Sequence, residues 1–567
     1  MKHTDFGFCL IIPWKDFYMK NEKYTLGIDF GTLSARCVLT DTKGSVLGEA
    51  VSDYAHGVMD KELWCGVKLP PRFALQHPSD YLHSARSAVM GAVAKAGVSA
   101  SDIVGLGIDF TGCTMLPVDE NFEPLCLAEE FKEEPQAYVK LWKHYGAAEV
   151  SERINELAKA MNEKCLKYSG GYISPEWMIP KIAETLTKAP EVFDRTYRFM
   201  EAADWLVTIL TGKESHSANF ASFKAGWSAE HGYPTDEFLA AISPRLKGLV
   251  GTKLSTDIVG VAECAGYLNE RGAELLGLRP GIAVATPCLD AHAAMPALGL
   301  GHDGDSMLIV GTSGIIMTNC TCNHEFHGLM GYAKDALFPG FYAYEAGQAS
   351  VGDIFDWFVK GCVPESYERE ARELGVGIHK LLRMKASRLK VGESGLVALD
   401  WHSGNRSPIS DHALSSMMLG INMQTRPEEM YRAWIESVAY GLRAIVECFE
   451  SHGVAVGRMV ASGGIALKDE LLMQIYADVL GKDIEVSSSK QAGALGSAAF
   501  AAVAAGIYPD ITTAADAYAA EVARVYKPIP ENVRVYETLY REYKSLGEYF
   551  SRENGVMKRL LKIREEA

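Results

Sequence analysis

Apolar positions run along this chain in two rhythms that take turns. YTLGIDF at 24–30 and IVGLGIDFTG at 103–112 are near-continuous apolar runs that meet an acid and then a turn, as buried strands do. RCVLTD and VLGEA follow the first run and are joined by a tight turn from Asp41 to Gly44, which predicts an antiparallel hairpin beside the parallel strands. Residues 80–96 (DYLHSARSAVMGAVAKA) switch to helical spacing, and a long helical tract follows from about 134 to 210, with an aromatic-rich loop around 168–180. The second half repeats the theme. PGIAVATP at 280–287 and SMLIVGTSG at 306–314 read as strands with polar residues at their ends. Residues 427–452 read as a helix with Pro427 and acids near its start. RMVASGG at 458–464 is a strand feeding a glycine turn, DELLMQIYADVLG at 469–481 a helix closed by glycine, and QAGALGSAAFAAVAAG at 491–506 a small-residue helix suited to close packing. The prediction is an α/β chain of two domains with a cleft between them, divided near 270–285.

Composition narrows the ligands. The 567 residues are 48% hydrophobic, enough for a substantial core, and the formal net charge is −16. So acidic a chain is not a non-specific nucleic-acid binder, and any phosphate site has to be built locally. Twelve cysteines without a regular framework fit a reducing compartment, hence a cytoplasmic location. No apolar stretch of about 18 residues predicts a membrane span. Cys9 to Ile12 is apolar but short and has no small-residue cleavage site, so residues 1–22 read as a leader ahead of the first strand and not as a signal peptide.

Three turns carry candidate chemistry. Gly31, Thr32, Ser34 and Arg36 offer backbone amides, hydroxyls and a cation to phosphate oxygens. Asp29 beside them repels phosphate but can hold hydrated Mg²⁺, which suits a metal–nucleotide complex. An ordinary hairpin with a capping aspartate reads the same way. Gly311, Thr312, Ser313 and Gly314 repeat the hydroxyl-plus-glycine pattern, and Gly463 and Gly464 permit close approach by a bulky ligand such as adenosine. Asp290, between a strand and an alanine-rich helix, is either a general base for a hydroxyl nucleophile or a helix N-cap. Glu345 in YEAGQASVGD begins a loop of small residues and either accepts hydroxyl hydrogen bonds or is a surface acid. Cys320, Cys322, His324 and His327 resemble a zinc set, but their spacing is not that of a structural zinc site.

With these residues in place, the chain resembles the FGGY family of carbohydrate kinases over roughly 24 to 560, and within it the ribulokinase branch. GIDFGTLSAR is similar to the family's first phosphate element, VGTSG to the second, and SGGIALKDELLMQIYADVLGKDIEV to the adenosine element, which adds Lys468. GINMQTRPEEMYRAWIE is close to a family signature except at Trp434. Leu33 and Glu184 depart from the commoner family pattern. The resemblance implies two actin-like, ribonuclease H-like α/β domains, 23–280 and 281–567, around an interdomain active site. It implies ATP and Mg²⁺, Asp290 as catalytic base and metal contact beside Asp29, and Gly112, Trp142, Lys224 and Glu345 as ketose contacts. Trp142 as a residue type is also at home in a core. Gly112 and Cys113 would leave room for a longer substrate. The implied reaction is phosphorylation of L-ribulose at O5 in L-arabinose catabolism. A broader pentulose or pentitol kinase and a nucleotide-switched scaffold of the same superfamily are the alternatives. A homodimer, with neither nucleic acid nor membrane as partner, is also implied.

Overall fold

A computed structural model describes residues 22–566. The leader expected at 1–22 lies outside the described residues except for Glu22. Two seven-stranded sheets repeat one plan. In the first, Tyr24–Phe30 pairs antiparallel with Ser34–Asp41, which pairs antiparallel with Val46–Asp53. On its other side Tyr24–Phe30 runs parallel to Ile103–Phe110. In the second, Ser306–Val310 pairs antiparallel with Gly314–Cys320 and that strand with Tyr342–Gln348, while Met459–Ser462 and Ile484–Ser487 run parallel on the other side. The near-continuous apolar runs are the central strands: every residue of Tyr24–Phe30 is buried.

The strands Ala283–Ala285 and Cys288–Leu289 both pair with Ile103–Phe110. The chain therefore changes from the first sheet to the second between Leu289 and Ser306, later than the division near 270–285 expected from the sequence. The expected helical tract is broken as well. Within it, Val139–Lys140 and Arg198–Glu201 are short strands that join two earlier ones, Leu75–Gln76 and Met115–Val118, in a separate four-stranded sheet.

The small-residue helix Ala492–Ala504 lies not on its own sheet but across the first one, against Tyr24–Phe30 and Ile103–Phe110. Glycines make this possible. A Cβ at Gly27 would overlap the carbonyl of Ala494, and one at Gly107 the carbonyl of Ser497, so helix backbone rests directly on strand backbone. Gly496 of the helix meets Ala293 of the helix Asp290–Ala297 in the same way.

Candidate active site

The two central strands of the first sheet carry the same tetrapeptide, Gly-Ile-Asp-Phe, at 27–30 and 107–110, and the parallel register sets the copies side by side, Asp29 opposite Asp109 and Phe30 opposite Phe110. The two phenyl rings stack with centroids 4.4 Å apart. Both carboxyl groups lie under the first turn of Ala492–Ala504, where a Cβ on Gly493 would be 3.4 Å from Asp29 Cγ and 3.3 Å from Asp109 Oδ1. Arg36 Nη1 donates to Asp29 Oδ2 at 3.0 Å, and Ser497 Oγ donates to Asp109 Oδ2 at 2.6 Å. Burial raises both carboxyls above the usual range. Arg36 offsets this at Asp29, while the Asp29 charge pushes Asp109 further up. Asp109 Oδ1 is buried with no hydrogen-bond partner among the described residues. Asp109 was not among the residues expected from the sequence, although the repeated tetrapeptide was visible there.

Asp290 is the first residue of the helix Asp290–Ala297, and among the described residues its Oδ1 accepts only from the adjacent Ala291 N–H, at 2.7 Å. Burial, and after it the Asp29 charge, push its carboxyl up to about 7; Lys224 pulls the other way and Glu345 adds to the push. Asp29, Lys224 and Glu345, expected from the sequence, thus all act on Asp290 electrostatically. Asn219 ties the residue before Asp290 to His292, which lies beside Glu345. Buried in the helix Ala218–Lys224, it accepts from Leu289 N–H through Oδ1 at 2.9 Å. Through Nδ2 it donates to His292 Nδ1 at 2.9 Å and to the Ala336 carbonyl at 2.7 Å. With Nδ1 accepting, the His292 proton sits on Nε2, which lies 3.8 Å from Glu345 Oε2. Burial alone would raise the Glu345 carboxyl, but Lys224 and His292 outweigh it and hold it near about 2.

Two expectations need correction here. Glu345 does not begin a loop: it is buried in mid-strand in Tyr342–Gln348, opposite Met317. The run of small residues that suggested a loop is a strand threaded through a crowded layer. Nor is the space beside Gly112 empty. Leu289 occupies the space where its Cβ would stand, and Cys113 is buried, so both small residues serve packing.

The three turns fall into two groups. The strands ending at Val310 and Ser462 are parallel neighbours, so Gly311–Gly314 and Gly463–Gly464 lie side by side. Gly463 adopts φ 105°, and a Cβ there would come 3.0 Å from the Val310 carbonyl. Beside Gly464 a Cβ would meet nothing within 4 Å, and Lys468 is exposed at the end of the short helix Gly464–Lys468, which leaves open surface for a bulky group. The Gly31 turn belongs to the other half and is closed by Gly31 N–H donating to the buried Ser34 carbonyl at 3.0 Å. Gln76 Nε2 donates to the Thr32 carbonyl at 2.8 Å, and Trp142 Nε1 donates to Thr32 Oγ1 at 3.1 Å. Trp142 is therefore no core residue; it is 38% exposed.

Cys320 is buried at the end of Gly314–Cys320 and Cys322 is exposed beyond it. Among the described residues no three His, Cys, Asp or Glu side chains form a ready-made metal cage, and no helix is long and apolar enough to cross a membrane.

Two family models cover most of the chain: the N-terminal domain of the FGGY family of carbohydrate kinases over residues 24–297, and its C-terminal domain over residues 306–505. The chain is 48% identical over 545 residues to a ribulokinase of Halalkalibacterium halodurans, covering 95% of this chain and 97% of that protein. It is 45% identical over 552 residues to a ribulokinase of Geobacillus thermodenitrificans, covering 96% and 98%. Among solved structures, the xylulose kinase of Rhodospirillum rubrum superposes with a TM-score of 0.77 at 21% identity over 93% of this chain and 99% of that one. The glycerol kinase of Plasmodium falciparum superposes at 0.72 and 16% identity over 92% and 98%. The fold shared with them is a pair of actin-like, ribonuclease H-like α/β domains.

Proposed function

Since the chain belongs to the FGGY family of carbohydrate kinases, we propose that it transfers the terminal phosphoryl group of ATP to O5 of L-ribulose, giving L-ribulose 5-phosphate and ADP. The observation that carries this reading is the set Asp290, Lys224 and Glu345. A carboxyl held near neutrality lies within the field of a cation and of a second, ionised carboxylate. Those are the groups needed to take a proton from one hydroxyl while others are held. The identity to the two ribulokinases supports the choice of sugar.

In this reading the phosphates lie between Gly31–Arg36 and Gly311–Gly314, with the adenosine on Gly463, Gly464 and Lys468. Asp29 and Asp290 disfavour each other's charged forms, as two carboxylates that share a cation would, and a bound cation would relieve that repulsion. A phosphate-borne Mg²⁺ asks for only one or two carboxylates, so Asp29, with Asp290 as a second contact, would hold it. When bound, the ion neutralises charge on the phosphate oxygens. Asp290 takes the O5 proton as the bond from O5 to phosphorus forms and the bond to the ADP oxygen breaks; it returns the proton to solvent afterwards. Lys224 donates to sugar oxygens, Glu345 accepts from sugar hydroxyls, and Trp142 gives a flat apolar wall for the carbon face.

The test follows ADP release with Mg·ATP against L-ribulose, D-ribulose, L-xylulose, D-xylulose, ribitol, L-arabitol and glycerol, with product position fixed by NMR. Turnover strongest with L-ribulose and phosphate on O5 is the expected result. Comparable rates with several pentuloses or pentitols would replace it by a broader kinase, and ATP turnover indifferent to every sugar would replace it by a nucleotide-switched scaffold.

A further inference from the structure

The Gly31 turn is held at three points, and they differ in kind. Two fix its backbone. Gln76, itself buried and gripped by the Tyr81 hydroxyl at 2.7 Å, binds the Thr32 carbonyl, and Tyr54 N–H binds the Leu33 carbonyl at 2.9 Å. The third acts on a rotor. An indole N–H can only donate, so in the bond from Trp142 Nε1 the Thr32 hydroxyl must accept, and its own hydrogen is left to point elsewhere. The indole is not wedged into a core that would explain its position. Its chain neighbour, by contrast, is pinned: the Leu141 carbonyl accepts from Lys181 Nζ at 2.9 Å, and Leu141 N–H donates to Ala74 at 3.0 Å. The backbone beneath Trp142 is therefore rigid while the ring is exposed and rests on Thr32. In the second turn, among the described residues, no side chain binds the Thr312 hydroxyl, so this arrangement is specific to the first.

We propose that Trp142 is a positioning residue that couples the two substrates. Sugar packed against its ring holds the indole N–H on Thr32 Oγ1, and this turns the Thr32 hydroxyl hydrogen toward the terminal phosphate of the nucleotide. The inference deepens the sugar-kinase reading and rests on it. Its consequence is synergy: sugar tightens nucleotide binding, and by linkage nucleotide tightens sugar binding by the same factor. The phosphate turn is then fully set only when an acceptor hydroxyl is present, which restrains transfer of the phosphoryl group to water.

The experiment measures the dissociation constant of a non-hydrolysable ATP analogue with Mg²⁺, in the presence and absence of saturating L-ribulose, by calorimetry. The proteins are the parent, Trp142→Phe, Thr32→Val, the double variant and Thr32→Ser. Trp142→Phe keeps an aromatic wall but loses the donor. The sugar-induced tightening of the analogue should shrink by roughly 3- to 10-fold, the worth of one hydrogen bond. Thr32→Val should lose the same tightening, the double variant should lose no more than either single one, and Thr32→Ser should restore it. Tightening in Trp142→Phe equal to that of the parent, additive losses in the double variant, or a parent that binds both ligands without synergy would each overturn the coupling. If the parent binds the analogue but no sugar at all, the sugar-kinase reading fails and takes the coupling with it. That outcome is distinct, because it shows in the parent alone. Thr32→Val removes the same link from the other side, so the proposal stays testable even if one variant folds poorly.

Discussion

The two hydroxyl turns are spelled almost alike, Gly-Thr-Leu at 31–33 and Gly-Thr-Ser at 311–313. Each closes an antiparallel hairpin at the end of a central strand. Their supports differ. The second is held by backbone: Val351 N–H donates to the Thr312 carbonyl at 2.8 Å and Gly352 N–H to the Gly311 carbonyl at 3.0 Å, from the start of the helix Gly352–Cys362. The first is held largely by side chains, Gln76 and Trp142, that reach in from elements of its own half. A turn fixed by backbone is indifferent to most substitutions around it. A turn fixed by side chains responds to whatever moves those side chains, and one of them is exposed where the sugar is proposed to lie. The same residues can thus serve as a fixed cradle in one half and as an adjustable one in the other.

Four substitutions sharpen or break this contrast. The largest effect belongs to Asp290, the proposed base. Asp290→Asn should lower kcat by about 10²–10⁴-fold while the ATP analogue still binds, measured by initial rates and calorimetry. A kcat close to that of the parent would show that Asp290 is not the base. Next comes Gly352→Ala. Its Cβ would fall 2.8 Å from the Gly311 carbonyl and 3.0 Å from Ile465 Cδ1. Overpacking of this kind costs roughly 1–3 kcal/mol, so the KM for ATP should rise about 10-fold with little change for the sugar. An unchanged KM for ATP would show that the backbone anchor is not what sets the second turn. Gln76→Ala leaves the Thr32 carbonyl and the Tyr81 hydroxyl without their partner and should lower the unfolding free energy by about 1–3 kcal/mol in urea titrations.

The last effect depends on pH and vanishes at the acid end of the range. Glu201, 3% exposed and with neither carboxylate oxygen hydrogen-bonded among the described residues, is pushed up to about 8, chiefly by burial and further by Asp204, against the opposing influence of Cys113. The folded protein then keeps this proton between about pH 4.5 and 8, where the unfolded chain has released it. Stability contributed here falls as pH rises through that window. Glu201→Gln should flatten the slope and raise Tm relative to the parent near pH 8, with little difference below pH 4.5. Parallel Tm–pH curves for the two proteins would show that Glu201 does not titrate in the fold.

The fold was legible in the sequence because its central strands are buried on both faces and its late helices carry strong period and glycine stops. Pro427–Ser451, Met459–Ser462 and Glu470–Leu480 lie within a residue or two of where the pattern puts them. The site was legible in part. Asp29 and Asp290 stand out because each follows an apolar run. Lys224 and Trp142 do not, and only the family resemblance points to them, since one lysine at a helix end or one tryptophan beside a lysine has no periodic signal. Glu345 was misplaced because a strand of Ala, Gly and Tyr looks like a loop when its neighbours are unknown. Gly112 was misread because a missing side chain looks like free space until Leu289 is seen filling it. Asp109 was visible as one copy of a repeated tetrapeptide. What the sequence could not show was that parallel register would lay the two copies against each other.

The helix Ala492–Ala504 that rests on Gly27 and Gly107 has a consequence for how the molecule is made. A chain emerging from the ribosome completes the strands of its first sheet early, yet the helix that covers them is among the last segments to appear. Until it arrives, a glycine-floored apolar face stays bare, and folding domain by domain from the N-terminus cannot finish the first domain alone. A fragment ending after residue 297, though it spans one whole family domain, should be prone to aggregate, and supplying the remainder as a separate chain should rescue it.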